Sequence, residues 1–354
     1  MAEELDDVTL GTIGTTEVIA AARATGRQLL GRTDDFVANL SDFDRRARVC
    51  LAGPETPVGT PLYLDYVTSQ VMAWNEQETG VLAELTRDLD KRLTGRWPDL
   101  LPPVVYLVKT TGQEEGRAAY TRHTDTVVLP AAKIVPALGP APGADPLFPH
   151  SSTTGLRDVL LHELFHIISK NKPRLRRALY DLIGYTQLDS AIPLPDVAWP
   201  SATSRTTLPS LRITNPDTPN LDVYITLRVP PAPGTGDEPV ERPLMPLLTA
   251  NGPYEGGSFF PYITWYFMAL RQEGTNWAAD TGPDGRPLTY VMTPGSDLWE
   301  EYLDQVGRNA EGELFHPDEV IAQNFVHATL LPSMRLLSRM DRILANTSCG
   351  MHHP

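Results

Sequence analysis

The chain has 354 residues, of which 41% are hydrophobic, and carries a net charge of -14 at pH 7 with a pI near 5.0. Such an acidic balance excludes nucleic acid or an anionic membrane surface as the main partner, since both reward a basic face. The length exceeds the ~100 to 200 residues of an ordinary domain, so one elaborated domain or two intimate ones are expected.

No apolar run approaches the ~18 residues of a spanning helix. The start Met1-Ala2-Glu3-Glu4-Leu5-Asp6-Asp7 lacks the basic and apolar regions of a signal peptide, so a cytoplasmic protein is expected. Cys50 and Cys349 are too few for a disulfide framework and leave only a single bridge between them open.

In chain order, Val18 to Leu30 and Asp35 to Val49 mix alanine, leucine and charge in the manner of amphipathic helices. Leu62 to Trp74 is a third candidate, and Val81-Leu82-Leu85-Leu89-Leu93 follows helical spacing. Residues 1–100 are therefore expected to form a mainly helical region packed on the remainder. After Pro102-Pro103 the pattern becomes β-type, with Val104 to Val108, Ala118 to Arg122 and Thr126 to Leu129 as strands of a small mixed sheet. The Pro/Gly-rich stretch from Pro136 to His150 is expected to be a loop, and Ser151 to Thr154 offer hydroxyls to cap the next helix.

That helix, Leu156 to Lys170, contains His162-Glu163-Leu164-Phe165-His166. Histidines four apart lie on one helical face and can grip one metal ion, while Glu163 sits roughly 100° round the helix, placed to take a proton from a metal-held water. A satisfied pair of core histidines is the competing reading. Against it, the flanking Leu160, Leu161, Ile167 and Ile168 make a buried helix, where unpaired polar groups cost roughly 2 to 7 kcal/mol each. Zinc, with two histidine ligands and a glutamate base, is the inferred chemistry.

Pro173 to Gly184 reads as a second helix with Leu175, Leu179 and Leu182 on one side. Residues 189–250 are expected to form a β-rich insertion, with Asp222 to Val229 alternating as a strand. Ser258 to Leu270, rich in aromatic residues, is predicted to be a buried helix; Gly274 to Gly295 a loop; Asp297 to Val306 a helix. Residues 101–346 are then the catalytic part and 347–354 a flexible tail.

Catalytic zinc usually takes three protein ligands. No histidine follows His166 closely, so the third must come from afar, and Leu314-Phe315-His316-Pro317-Asp318-Glu319-Val320-Ile321-Ala322-Gln323-Asn324-Phe325 supplies candidates. Pro317 with Asp318 and Glu319 marks a helix start with carboxylates at its positive end. Asp318 competes with Glu319, since helix phase and not residue type separates them.

With these residues the chain resembles the gluzincins, zinc metallopeptidases in which a later helix supplies a glutamate ligand. Its likeness is greatest to bacterial proteins of the pattern His-Pro-x-Glu, two apolar residues, Ala-x-Asn-Phe. The likeness covers the motif helix, Leu179 to Tyr185 and His316 to Phe325. It implies an α+β, zincin-like fold, mainly helical, with His162, His166 and Glu319 as zinc ligands and Glu163 as base. It also implies a peptide or protein substrate. Gluzincins often support a metal-bound histidine with an acidic residue four positions after the ligand glutamate; Gln323 stands there, which would leave a weaker site. An oxyanion donor is expected among Tyr254, Tyr262, Tyr266, His316 and His327. A degenerate, zinc-stabilised interaction module is the alternative function.

Overall fold

The computed structural model describes residues 6–53, 57–134, 155–230, 238–310, 312–330 and 335–349. It opens with a hairpin, β1 (Val8–Ile13) and β2 (Thr16–Ala20), turning at Gly14, whose φ of +59° suits glycine. Five helices follow: α1 (Arg23–Leu30), α2 (Asp35–Asn39), α3 (Asp42–Arg48), α4 (Thr60–Ser69) and α5 (Glu76–Leu93). Ser41 with Asp44, and Asn75 with Glu78, satisfy the first amides of α3 and α5 through reciprocal capping bonds. The helix expected from Val18 to Leu30 is thus corrected: it begins only at Arg23. Val18 to Ala20 form a strand because they pair in parallel with β3 (Val104–Thr110), and tertiary pairing overrides the helical preference of alanine.

The first sheet is completed by β4 (Tyr120–Arg122) and β5 (Thr126–Pro130), in the order β1-β2-β3-β5-β4. A short α6 (Ala131–Ile134) ends this section. The loop read at Pro136 to His150, and the capping hydroxyls at Ser151 to Thr154, lie outside the described residues.

The motif helix α7 (Leu156–Asn171) is buried through Leu160, Leu161 and every residue from Glu163 to Ser169, which explains its unbroken apolar run. Next come α8 (Pro173–Leu182), β6 (Tyr185–Gln187), a single turn α9 (Leu208–Leu211), β7 (Val223–Val229) and β8 (Val240–Ala250). The predicted helix at Ser258 to Leu270 is corrected: Ile263 to Leu270 belong to β9 (Ile263–Glu273), the neighbour of β8. Its β-branched and aromatic side chains suit a pleated surface, and cover on both faces hides the alternation that would have identified a strand. The stretch expected as a loop holds β10 (Asn276–Ala279) and β11 (Thr289–Val291), both paired with β9. This second, six-stranded sheet therefore runs from Tyr185 to Val291, past the 250 boundary expected of the insertion.

Three helices close the chain: α10 (Asp297–Val306), α11 (Pro317–Leu330) and α12 (Arg335–Cys349). The architecture is α+β. One apolar cluster runs from Leu10 and Val105 through Phe165 and Ile225 to Phe325 and Leu344, joining both sheets to the helices. The opposite face of the second sheet, with Met245, Leu247 and Met268, packs in a second cluster with Phe43 and Trp199. Among the described residues no helix is long and apolar enough to cross a membrane. Cys50 is exposed, whereas the Cys349 side chain and residues 350–354 of the expected tail lie outside the described residues.

Candidate metal centre

Two helices build the centre. On α7, His162 and His166 stand one turn apart with ring centroids 4.8 Å from each other. α11 packs against α7 through Phe325, whose ring lies 5.5 Å from Phe165 and 5.3 Å from Trp97. That packing fixes the phase of α11 and turns Glu319 onto the imidazoles. Glu319 Oε2 lies 3.1 Å from His162 Nε2 and 3.4 Å from His166 Nε2. Ligands ~2.0 to 2.1 Å from a tetrahedral zinc would stand roughly 3.3 Å apart, so these separations fit one shared ion.

The donor chemistry agrees with the spacing. His166 is fully buried and its Nε2 has no hydrogen-bond partner, a cost that an ion would remove. Its other nitrogen is spoken for: Nδ1 lies 2.6 Å from Asp318 Oδ2. Asp318 also accepts from Ser169 Oγ at 2.5 Å and Tyr180 Oη at 2.8 Å. A proton on Nδ1 leaves the Nε2 lone pair facing Glu319, so Asp318 stands behind the histidine and not at the point of convergence. Asn215 Nδ2 donates to the other Glu319 oxygen at 2.5 Å.

The expectation about Gln323 is corrected by the same geometry. Gln323 Nε2 lies 3.5 Å from His327 Nε2, and Asn324 Nδ2 donates to Val320 O. Support for His166 comes from Asp318, the residue before Glu319, and not from position 323.

Glu163 is 5% exposed, and its Oε2 has no hydrogen-bond partner. Burial and the nearby Asp217 carboxylate push its pKa up to about 8. Glu163, His166 and Asp217 bring ligand atoms within 4.8 Å of one another, as do His162, His166 and Glu319. These buried groups are able to bind a metal ion. Burial alone would depress His162, but Glu313 and Glu319 outweigh it and raise its pKa to about 9. Burial likewise opposes ionisation of Glu319, yet His166 and His162 hold its carboxyl well below the usual range.

Sequence reasoning missed Asp217 and Glu313. Asp217 arrives on the loop before β7, pinned by Thr121 N at 2.7 Å. Glu313 Oε2 lies 3.1 Å from His162 Nε2, brought there by the loop before α11. Neither sits in a periodic element or a spaced motif, so no sequence signal singled them out.

The centre opens on a cleft of about 190 Å³, lined by Ala118, Ala119 and Tyr120 at the start of β4 and by Leu248, Phe259 and Phe260 of the second-sheet region. None of the five expected oxyanion donors lines it. Tyr254 and Tyr262 donate to the carbonyls of Gly257 and Gly256, and Tyr266 packs edge-on against Trp199. His316 Nδ1 accepts from Asp318 N, with burial pushing its pKa down to about 4, and His327 Nε2 lies 3.0 Å from Asn309 O. Besides its acids, Arg48 and His162, the polar residues that line the cleft are Tyr120, Lys133, Thr214, Asn215 and Gln323. Comparison with protein-family models, curated proteins and solved structures finds no match for the chain.

Proposed function

We propose that the chain is a zincin-like, zinc-dependent hydrolase, with peptide bonds as its substrate. The observation that carries this reading is the convergence of Glu319 Oε2 on the Nε2 atoms of His162 and His166 while Glu163 stands beside them with an unpartnered oxygen. Two nitrogens and a carboxylate form the donor set of catalytic zinc sites that keep a position for water. When bound, zinc would supply a Lewis acid and lower the pKa of a water toward ~7.

The protein's own groups then divide the work. Glu163, basic through burial, takes a proton from the attacking water and returns it to the leaving amine. Asp318 fixes the His166 tautomer, and Asn215 orients Glu319. Lys133, lining the cleft, is the candidate donor to a developing oxyanion in place of the five residues expected from sequence.

Glu163→Gln tests the proposal. The variant should keep its fold and a stoichiometric zinc ion while losing about 10²- to 10⁴-fold in turnover. Unchanged turnover rejects the mechanism. Elemental analysis of untagged protein with no zinc at all rejects the centre.

A further inference from the structure

The strand edge beside the centre is closed at one end. Thr121 of β4 faces Val127 of β5, but its own amide donates to Asp217 Oδ1 at 2.7 Å and its carbonyl accepts from Lys170 Nζ at 3.3 Å. Thr121 Oγ1 also binds Asp217 Oδ1, at 2.5 Å, and accepts from Lys170 Nζ at 2.6 Å. Lys170 reaches Pro216 O at 3.2 Å as well, so the segment Asn215 to Asp217 is stitched across the edge. A chain pairing with β4 cannot continue past this stitch. Two residues earlier, just ahead of β4, Ala119 lines the cleft, and a continuation of the strand would present its amide and carbonyl on the same edge as Thr121.

Direction follows from topology. A peptide laid antiparallel to β4 runs with its amino end toward Thr121 and therefore toward Asp217. A parallel peptide would bring its carboxylate there instead. Charge decides between them: Asp158, Asp217, Glu313 and Glu319 line the cleft, against Lys133 and an Arg48 already paired with Asp44 and Glu115. An α-carboxylate would be repelled, whereas an ammonium meets Asp217, whose bonds to Thr121 both fall on Oδ1 and leave Oδ2 for a further donor. Buried Glu163 and His166 each hold an atom without a partner, Oε2 and Nε2, and ligand atoms of Glu163, His166 and Asp217 lie within 4.8 Å of one another, which marks a ligand position beside Asp217.

We infer that the cleft captures the free amino terminus of a peptide on Asp217 and removes the first residue, as an aminopeptidase. This rests on the hydrolase reading above. An α-amine lies about 2.5 Å from the first carbonyl carbon, so an ammonium on Asp217 brings that carbonyl to the centre. Water adds its oxygen to this carbon, the C–N bond to the second residue breaks, and Glu163 carries the water's proton to the departing amine. One amino acid and a shortened peptide result.

The test uses the full chain loaded with zinc and a leucine-initiated hexapeptide, either free or N-acetylated, with leucine hydroxamate and N-acetyl-leucine hydroxamate as calorimetric probes. Free peptide should be trimmed stepwise by mass spectrometry and the acetylated one left intact. The free-amine hydroxamate should bind about 10- to 100-fold tighter than its acetylated form. Asp217→Asn, which keeps an acceptor for Thr121, should abolish that preference. Equal affinity for the two hydroxamates, or internal cleavage of the acetylated peptide, overturns amino-end capture while sparing the hydrolase. Cleavage of neither peptide overturns both.

Discussion

Asp318 accepts the Nδ1 proton of His166 at 2.6 Å, directly behind the nitrogen that faces Glu319. Carboxylates in this position raise ligand basicity and fix the ring, and their loss typically costs 10- to 100-fold in metal affinity. Asp318→Asn should therefore weaken zinc binding by about 10- to 100-fold in a chelator competition, with the protein still folded. Gln323→Ala, which touches His327 instead, should change that affinity little. Equal losses in the two variants would contradict the assignment of the buttress.

Metal-free protein should become less stable as pH rises. His162 moves from 6.5 to about 9 in the folded chain and Glu163 from 4.5 to about 8. Both folded pKa values are raised, so their contribution is fully present below the unfolded values and is lost as pH climbs through the folded ones. The melting temperature of metal-free protein should fall between pH 6.5 and pH 9. Zinc retention should run the other way, falling with acid because protons compete for the same nitrogens. A metal-free melting temperature that is flat or rising across that window would contradict the protonation assigned to the pair.

Arg48 is 1% exposed, pairs with both Asp44 and Glu115, and stacks between the rings of Phe36 and Phe259. Arg48→Met fills its volume but leaves two carboxylates without their partner, at a cost of about 3 to 5 kcal/mol. Thermal denaturation should drop on the order of 10 °C. A drop of a degree or two would show that water reaches the two acids.

Gly116 adopts φ +58°, and a Cβ placed there would stand 2.5 Å from Phe260 Cε2, on a ring that lines the cleft. Gly116→Ala should cost roughly 1 to 3 kcal/mol and push Phe260 out of place. Its effect on KM should exceed that on kcat, since the ring shapes the cleft without touching the centre. An unchanged KM would show that Phe260 does not meet substrate.

Local pattern carried much of this structure in plain view. The Leu156 helix, the strands from Val104 to Leu129 and the helix at Asp297 follow from local runs of residue type, although Gly155 and not a hydroxyl residue stands at the N-cap of the first; the pair His162 and His166 is legible too, because ligands one helical turn apart are neighbours in the chain as well as in space. What escaped reading depends on partners far along the chain. Val18 to Ala20 became a strand only because β3 lies alongside, and Ile263 to Leu270 hid their period because both faces are covered. Asp217 and Glu313 sit in irregular loops whose placement is set by Thr121 and by the turn into α11. The role of Asp318 needed the phase of α11, which Phe325 fixes by packing on Phe165 and Trp97.

The segment Thr214 to Asp217 ties Asp44 and Arg48 of α3, Thr121 of β4 and Glu319 of α11 to one short piece of backbone. Excising the second-sheet region to obtain a minimal working core would therefore cut the tether that aims Glu319, even though His162, Glu163, His166 and Glu319 would all survive in the shortened gene product. Engineering of this protein has to treat both sheets as one indivisible unit.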